Sequence, residues 1–226
     1  MIVRIEGLLS GEQLEAIRDR LDTAAWADGH LTAGHQSAQV KANLQLPQSD
    51  AAARAAGEIV VQALEANALF VSATLPRHVY PPLFNRYEPG MTFGAHVDNA
   101  VRQIPGMHYR LRTDVSATLF LSSPEEYDGG ELVIEDTFGA HAVKLGAGDM
   151  VVYAASSLHR VEPVTRGVRC AAFFWVQSMV RDDGARHLLF ELDRAIRDLT
   201  QHAAQREPLL RLTACYHNLL RRWAEL

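Results

Sequence analysis

The sequence predicts a mainly β fold with flanking helices: a double-stranded β-helix of the jelly-roll, cupin-like kind, with N-terminal helices and a C-terminal helical extension. Two observations carry this. Short apolar runs bounded by Pro, Gly or Ser recur at 84–88, 93–97, 115–122, 130–135, 141–145, 149–154, 158–162 and 169–177. Outside that stretch, apolar residues return at helical spacing instead. Eight short strands joined by turns fit two sheets rolled onto each other, an arrangement that limits exposed edges.

Ser10-Gly11-Glu12-Gln13 reads as a capping box, and Leu14, Ile17 and Leu21 follow at helical spacing, so a helix is predicted over 11–24. Residues 27–48 read as loop and strand. An alanine-rich helix is predicted from about Ser49 to Ala68, with Ile59, Val60, Ala63 and Leu64 on its apolar side. Turn chemistry then punctuates the strands: Pro89-Gly90, Ser122-Ser123-Pro124, Asp128-Gly129-Gly130, Gly146-Ala147-Gly148-Asp149 and Arg166-Gly167. After Val180, Leu188, Leu192, Ala195 and Leu199 mark one helix. Leu212, Cys215, Leu219 and Trp223 mark another, started by Pro208. Residues 1–74 are thus expected to support a core over 75–180, with the extension over 181–226. The two terminal helices either pack on the barrel or form a homo-oligomer interface.

A chain of 226 residues accommodates one such domain with its helical additions. Its net charge of -5 does not favour non-specific attraction to nucleic acid. The basic residues are 20 Arg and 2 Lys, a skew read as compositional bias rather than a binding signature. Cys170 and Cys215 form no CxxC pair, so no structural zinc site follows; they could form one disulfide, or stand as two thiols in a reducing compartment. The first residues lack a basic segment followed by a long apolar one, and no run approaches the length that crosses a bilayer. A cytoplasmic protein without a membrane or nucleic-acid partner is expected.

His96-Val97-Asp98, with His159 and Arg169 downstream, carries the chemistry. A His-x-Asp triplet is cheap, since 10 His and 13 Asp give about 0.6 by chance. Placement adds the weight. His96 and Asp98 are two apart at a strand end and can leave one face, and His159 lies on a later strand whose end can converge on theirs. Two imidazoles and a carboxylate fill one face of an Fe(II) ion and leave the other open, too few ligands for a closed structural site. Zinc would bind the same donors, so affinity does not name the metal. Arg169 opens an apolar strand, where its charge needs a partner, and a guanidinium grips a carboxylate in two-pronged fashion.

The run Phe84-Asn85-Arg86-Tyr87-Glu88-Pro89-Gly90 through His96-Val97-Asp98-Asn99 resembles the PKHD-type (prolyl/lysyl-hydroxylase-like) Fe(II)- and 2-oxoglutarate-dependent dioxygenases. So do Tyr127-Asp128-Gly129-Gly130-Glu131-Leu132, the segment from Gly148 to Val161, and Arg166-Gly167-Val168-Arg169. The resemblance is strongest over about 75–180 and extends to both ends of the chain. It implies His96, Asp98 and His159 as iron ligands and Arg169 as the residue holding the distal carboxylate of 2-oxoglutarate. It places Tyr87 near the same cosubstrate, although a strand tyrosine packed in the core would read the same way. It implies Fe(II), 2-oxoglutarate and O2 as cofactors, L-ascorbate as a helper, and hydroxylation of an unidentified peptidyl or small-molecule substrate with release of succinate and CO2.

Two rivals share the barrel. A cupin-like metalloenzyme that does not use 2-oxoglutarate would leave Arg169 without a task. A metal- or 2-oxoglutarate-sensing binding module would need no turnover. Asn99, Arg102 and Gly106-Met107-His108-Tyr109-Arg110 form either a lid or an ordinary polar connection, and Glu125, Glu126 and Tyr127 read as solvated turn residues.

Overall fold

A computed structural model describes residues 1–32, 39–104, 106, 108–202 and 205–226. In chain order the strands are β1 (Ile2–Ile5), β2 (Ala27–Asp28), β3 (Lys41–Ala42), β4 (Leu44–Gln45), β5 (Pro76–Val79), β6 (Leu83–Tyr87), β7 (Thr92–His96), β8 (Val101–Gln103) and β9 (Arg110–Arg112). They continue as β10 (Val115–Phe120), β11 (Tyr127–Gly129), β12 (Leu132–Asp136), β13 (Gly139–Val143), β14 (Met150–Ala154), β15 (His159–Val161), β16 (Val164–Gly167) and β17 (Arg169–Ser178). Helices α1 (Gly11–Asp22), α2 (Ala51–Ala66) and α3 (Ala68–Thr74) precede the core, and α4 (Asp183–Gln201) and α5 (Arg206–Trp223) follow it.

The larger sheet runs β1-β14-β10-β17-β6-β4-β2, with β5 also on β17. The smaller runs β13-β12-β15-β7-β3, and every pairing is antiparallel. Strand alternation sorts β17 into two faces. Cys170, Ala172, Phe174 and Val176 face Ile17, Leu21, Val60, Leu64 and Phe70 of the N-terminal helices. On the other face, Tyr87, Phe120, Val151 and Tyr153 of the larger sheet meet Leu132, Ile134, Val143 and Val161 of the smaller, while Phe173 and Trp175 of β17 pack with Tyr80, Leu83 and Leu111. The larger sheet is therefore a shared wall: helices on one side, the jelly-roll interior on the other.

Local chemistry explains the helix ends. Ser10 accepts from the Gln13 amide at 3.2 Å while Gln13 accepts from the Ser10 amide at 2.9 Å, the reciprocal cap expected. The helix expected over 49–68 is α2, and a second, unexpected helix, α3, follows it directly. Asp50 caps α2, and Asn67 ends it and caps α3 by accepting from the Phe70 amide at 2.8 Å. An Asn side chain competes for backbone donors, which favours such a break. α5 begins two residues before Pro208, which the first turn tolerates because its missing amide would be unbonded there. The C-terminal helices pack Tyr216, Leu219, Leu220 and Trp223 against Leu75, Val180, Ala185 and Leu189. The first 74 residues place strands in both sheets, through β1, β2 and β4 in the larger and β3 in the smaller. Both cysteines are free thiols. No helix among the described residues is long and apolar enough to cross a membrane.

Candidate active site

β7 and β15 are neighbours in the smaller sheet, with His96 directly opposite His159. That register brings together two residues sixty-three positions apart, with ring centroids 4.2 Å from each other. Asp98 lies just beyond the end of β7, and one ligand atom from each of the three residues falls within 4.8 Å of the others. Among the described residues this is the one such cluster of His, Cys, Asp and Glu donors.

Each imidazole is oriented from behind. His96 Nδ1 donates to the Gly94 carbonyl at 2.8 Å, and His159 Nδ1 donates to the Ser157 carbonyl at 3.0 Å. A ring proton fixed on Nδ1 leaves the Nε2 lone pair for a metal. Phe93 stacks on His96 at 3.7 Å and Tyr153 meets His159 edge-on at 5.2 Å, so the rings have apolar walls. Burial, and then the neighbouring His159, push the His96 imidazole down to about 4, so it is neutral near pH 7. The third donor is held by Ser116 of β10, whose Oγ donates to Asp98 Oδ2 at 2.6 Å. Asp98 Oδ2 also lies 3.7 Å from His159 Nε2.

The triad opens into a recess between the sheets of about 750 Å³, counted out to its solvent mouth. Arg169 lies at one end, only 1% exposed. Its Nε and Nη1 are buried with no hydrogen-bond partner, and the guanidinium lies 5.2 Å from the Tyr87 ring and 5.3 Å from the Phe120 ring. The Tyr87 hydroxyl is also buried without a partner, and burial raises that phenol above its ordinary value. A buried cation is costly unless its hydrogen bonds are met, so these atoms mark a place for an anion supplied from outside the chain. Gly130 makes room for the arginine. Its φ is +66°, and a Cβ there would lie 3.1 Å from Arg169 Cδ and 2.9 Å from a Val164 methyl.

All five expected site residues therefore line one recess. Others were not singled out from the sequence. Tyr127, expected in a solvated turn, is fully buried, and burial raises its phenol. It belongs to the quoted Tyr127-Asp128-Gly129-Gly130 run, and that was its available clue. Lys41 is 4% exposed, lies in the recess and donates to Gln45 Oε1 at 2.8 Å. Burial, and then Arg102, push its ammonium down to about 8. Being one of two lysines was the only mark it carried in the sequence. Ser116 carried none.

Residues 82–177 match the 2OG-Fe(II) oxygenase superfamily, and residues 183–225 match the PKHD-type hydroxylase C-terminal domain. A PKHD-type hydroxylase of Rhizorhabdus wittichii is 58% identical over 226 residues, all of both chains. A prolyl-4-hydroxylase of Pseudomonas putida superposes with a TM-score of 0.54 at 21% identity, over 78% of this chain and 92% of that one. HygX of Streptomyces hygroscopicus, solved with nickel and 2-oxoglutarate bound, superposes with a TM-score of 0.53 at 14% identity, over 78% of this chain and 82% of that one. At such identities the two structures bear on the fold, which is the jelly roll observed.

Proposed function

The chain belongs to the PKHD-type hydroxylases, and on that premise we propose that His96, Asp98 and His159 hold the Fe(II) ion while Arg169, with Tyr87 beside it, receives the distal carboxylate of 2-oxoglutarate. The protein is an Fe(II)- and 2-oxoglutarate-dependent dioxygenase of unidentified substrate. When bound, the metal with 2-oxoglutarate and O2 supplies the oxidising chemistry of hydroxylation, releasing succinate and CO2.

The chain's own residues then divide the work. Three protein donors leave the remaining metal positions to cosubstrate and oxygen. Gly94 and Ser157 carbonyls hold the two Nδ1 protons, and Ser116 holds one oxygen of Asp98, so the donors need little reorganisation. Arg169 orients the cosubstrate by a two-pronged contact. Tyr87 and Phe120, whose rings flank the guanidinium, limit water around that contact and strengthen it. The observation that carries this reading is the buried Arg169 with two unpartnered N–H groups in the recess of the His/Asp/His cluster. A barrel that did not use 2-oxoglutarate would leave that charge unexplained. Ascorbate is expected to sustain turnover as a reductant. A reducing cytoplasm suits the two free thiols.

An anaerobic spectrum of the Fe(II) protein tests the reading. Adding 2-oxoglutarate should produce a metal-to-ligand charge-transfer band. Arg169→Ala should require much more cosubstrate to reach it, and His96→Ala and Asp98→Ala should abolish it. No band in the wild type, or an unchanged titration in Arg169→Ala, refutes it.

A further inference from the structure

The inner face of β17 lays out the recess in order. Arg169, Ala171, Phe173 and Trp175 alternate onto one face, so Arg169 and Trp175 are about 20 Å apart at their Cα atoms. A five-carbon diacid held at Arg169 spans about 7 Å and falls well short of the far end. Two further cations stand there. Lys41, reaching inward from β3, places its Nζ 5.4 Å from the Phe93 ring and 5.9 Å from the Phe173 ring. Arg102, on β8, lays its guanidinium 3.9 Å from the Trp175 ring and 5.4 Å from the Tyr80 ring, and its Nε is buried without a hydrogen-bond partner. Phe173 and Trp175 are themselves in contact at 5.7 Å, so one aromatic floor carries both cations.

Charge in the recess is one-sided. Asp98 is the one acidic residue among the described residues lining it, against Lys41, Arg102 and Arg169. Asp28, which also acts on Lys41, is exposed and hydrogen-bonded to His30 at 2.5 Å. Resting on the function proposed above, the charges of Fe(II) and Arg169 are balanced by Asp98 and the two carboxylates of 2-oxoglutarate. Lys41 and Arg102 add two further positive charges over an aromatic floor, in the same recess as the triad.

We propose that Lys41 and Arg102 form a substrate subsite for an oxyanion, so that the molecule hydroxylated carries a carboxylate or phosphate group held at Phe173 and Trp175 while its reacting carbon faces the triad. Arg supplies a flat fork stacked on an indole, and Lys a point charge, a pairing suited to an anionic oxygen group.

The test uses full-length protein loaded with Mn(II) and saturating 2-oxoglutarate, read by water-proton relaxation at the metal and by ligand-detected NMR. The probes are N-acetyl amino acids against their methyl esters, and glycerol phosphate against glycerol. Acids or the phosphate should bind at or below about 10 mM, with their neutral partners at least tenfold weaker. Lys41→Met and Arg102→Met should each weaken anion binding at least about tenfold while the 2-oxoglutarate titration stays in place. Lys41→Arg should retain the preference, which separates loss of charge from loss of folding. The proposal is overturned if no anion binds, if esters bind as well as acids, or if both Met variants bind anions like wild type. It is also overturned if those variants lose 2-oxoglutarate in parallel. Failure of 2-oxoglutarate to bind the wild type would instead overturn the function on which this rests.

Discussion

Ser116 donates its hydroxyl to Asp98 Oδ2 at 2.6 Å, the oxygen that also lies 3.7 Å from His159 Nε2. It sits on β10 at 2% exposure, opposite Trp175 on one side and Tyr153 on the other, so it cannot turn away. Outer-shell partners of this kind are worth about ten- to a hundredfold in metal affinity. Ser116→Ala is therefore expected to weaken Fe(II) or Mn(II) binding by about tenfold or more, with little change in the 2-oxoglutarate titration once metal is saturating. Isothermal titration with each ligand separates the two effects, and unaltered metal affinity would show that Asp98 is positioned without Ser116. Gly94 shows the same economy in the backbone. Its carbonyl orients His96, and a Cβ there would lie 2.8 Å from the Cβ of Val40, so only glycine admits that segment so close.

At the scale of elements, β17 joins the parts. Its inner face carries Arg169, Phe173 and Trp175, and its outer face packs on the N-terminal helices. Its end leads to the C-terminal pair. There Leu189 of α4 is fully buried against Leu75 and Val180, with α5 packed over the same cluster. Removing a buried leucine side chain costs about 2–5 kcal/mol through lost transfer energy and the cavity left behind. Leu189→Ala should lower the denaturant midpoint by a corresponding amount, while the metal-bound 2-oxoglutarate spectrum of the folded protein is retained. A loss below about 1 kcal/mol would mean that the extension contributes little to the fold. The tail is also tied to the β8–β9 hairpin that carries Arg102, through Arg112 Nη1 to Glu225 Oε2 at 3.0 Å, with Asp114 Oδ1 holding the same guanidinium by its Nε at 2.7 Å. The expectation of a lid or a plain connection after Asn99 resolves into this hairpin, with Arg102 turned into the recess. Residues 105 and 107 of that segment lie outside the described residues.

For the molecule as a whole, closing two sheets over the triad couples folding to protonation. The His96 imidazole is held at about 4 in the fold, below its ordinary 6.5, because burial penalises the charged ring. Between those values the unfolded chain takes up a proton that the folded chain refuses. Stability of the metal-free protein should therefore fall as pH drops from about 6.5 towards 4, by about 2 kcal/mol from this residue. Urea unfolding across that range, compared with His96→Gln, gives the contribution, and equal slopes in the two proteins would remove it.

Much of this was legible in residue patterns because the causes are local. Strand alternation, the Ser10 cap and the Pro and Gly turns act within a few residues, so eight core strands and both terminal helical regions follow from them. The two-residue spacing of His96 and Asp98 at a strand end, and Arg169 at the mouth of an apolar strand, are equally local, and they named the chemistry with the family resemblance. The short helix after Asn67 was less legible, because its seven residues follow the alanine-rich helix with only the capping Asn67 between. Residue pattern alone settles the fold class and the dioxygenase family, and it nominates His96, Asp98 and His159 as the donor set proposed above. The closed fold alone sets His159 across from His96, Ser116 behind Asp98, Tyr127 in the interior, and Lys41 and Arg102 on one aromatic floor. Those relations join residues far apart in the chain through inter-strand register and burial, and neither quantity exists until both sheets have closed.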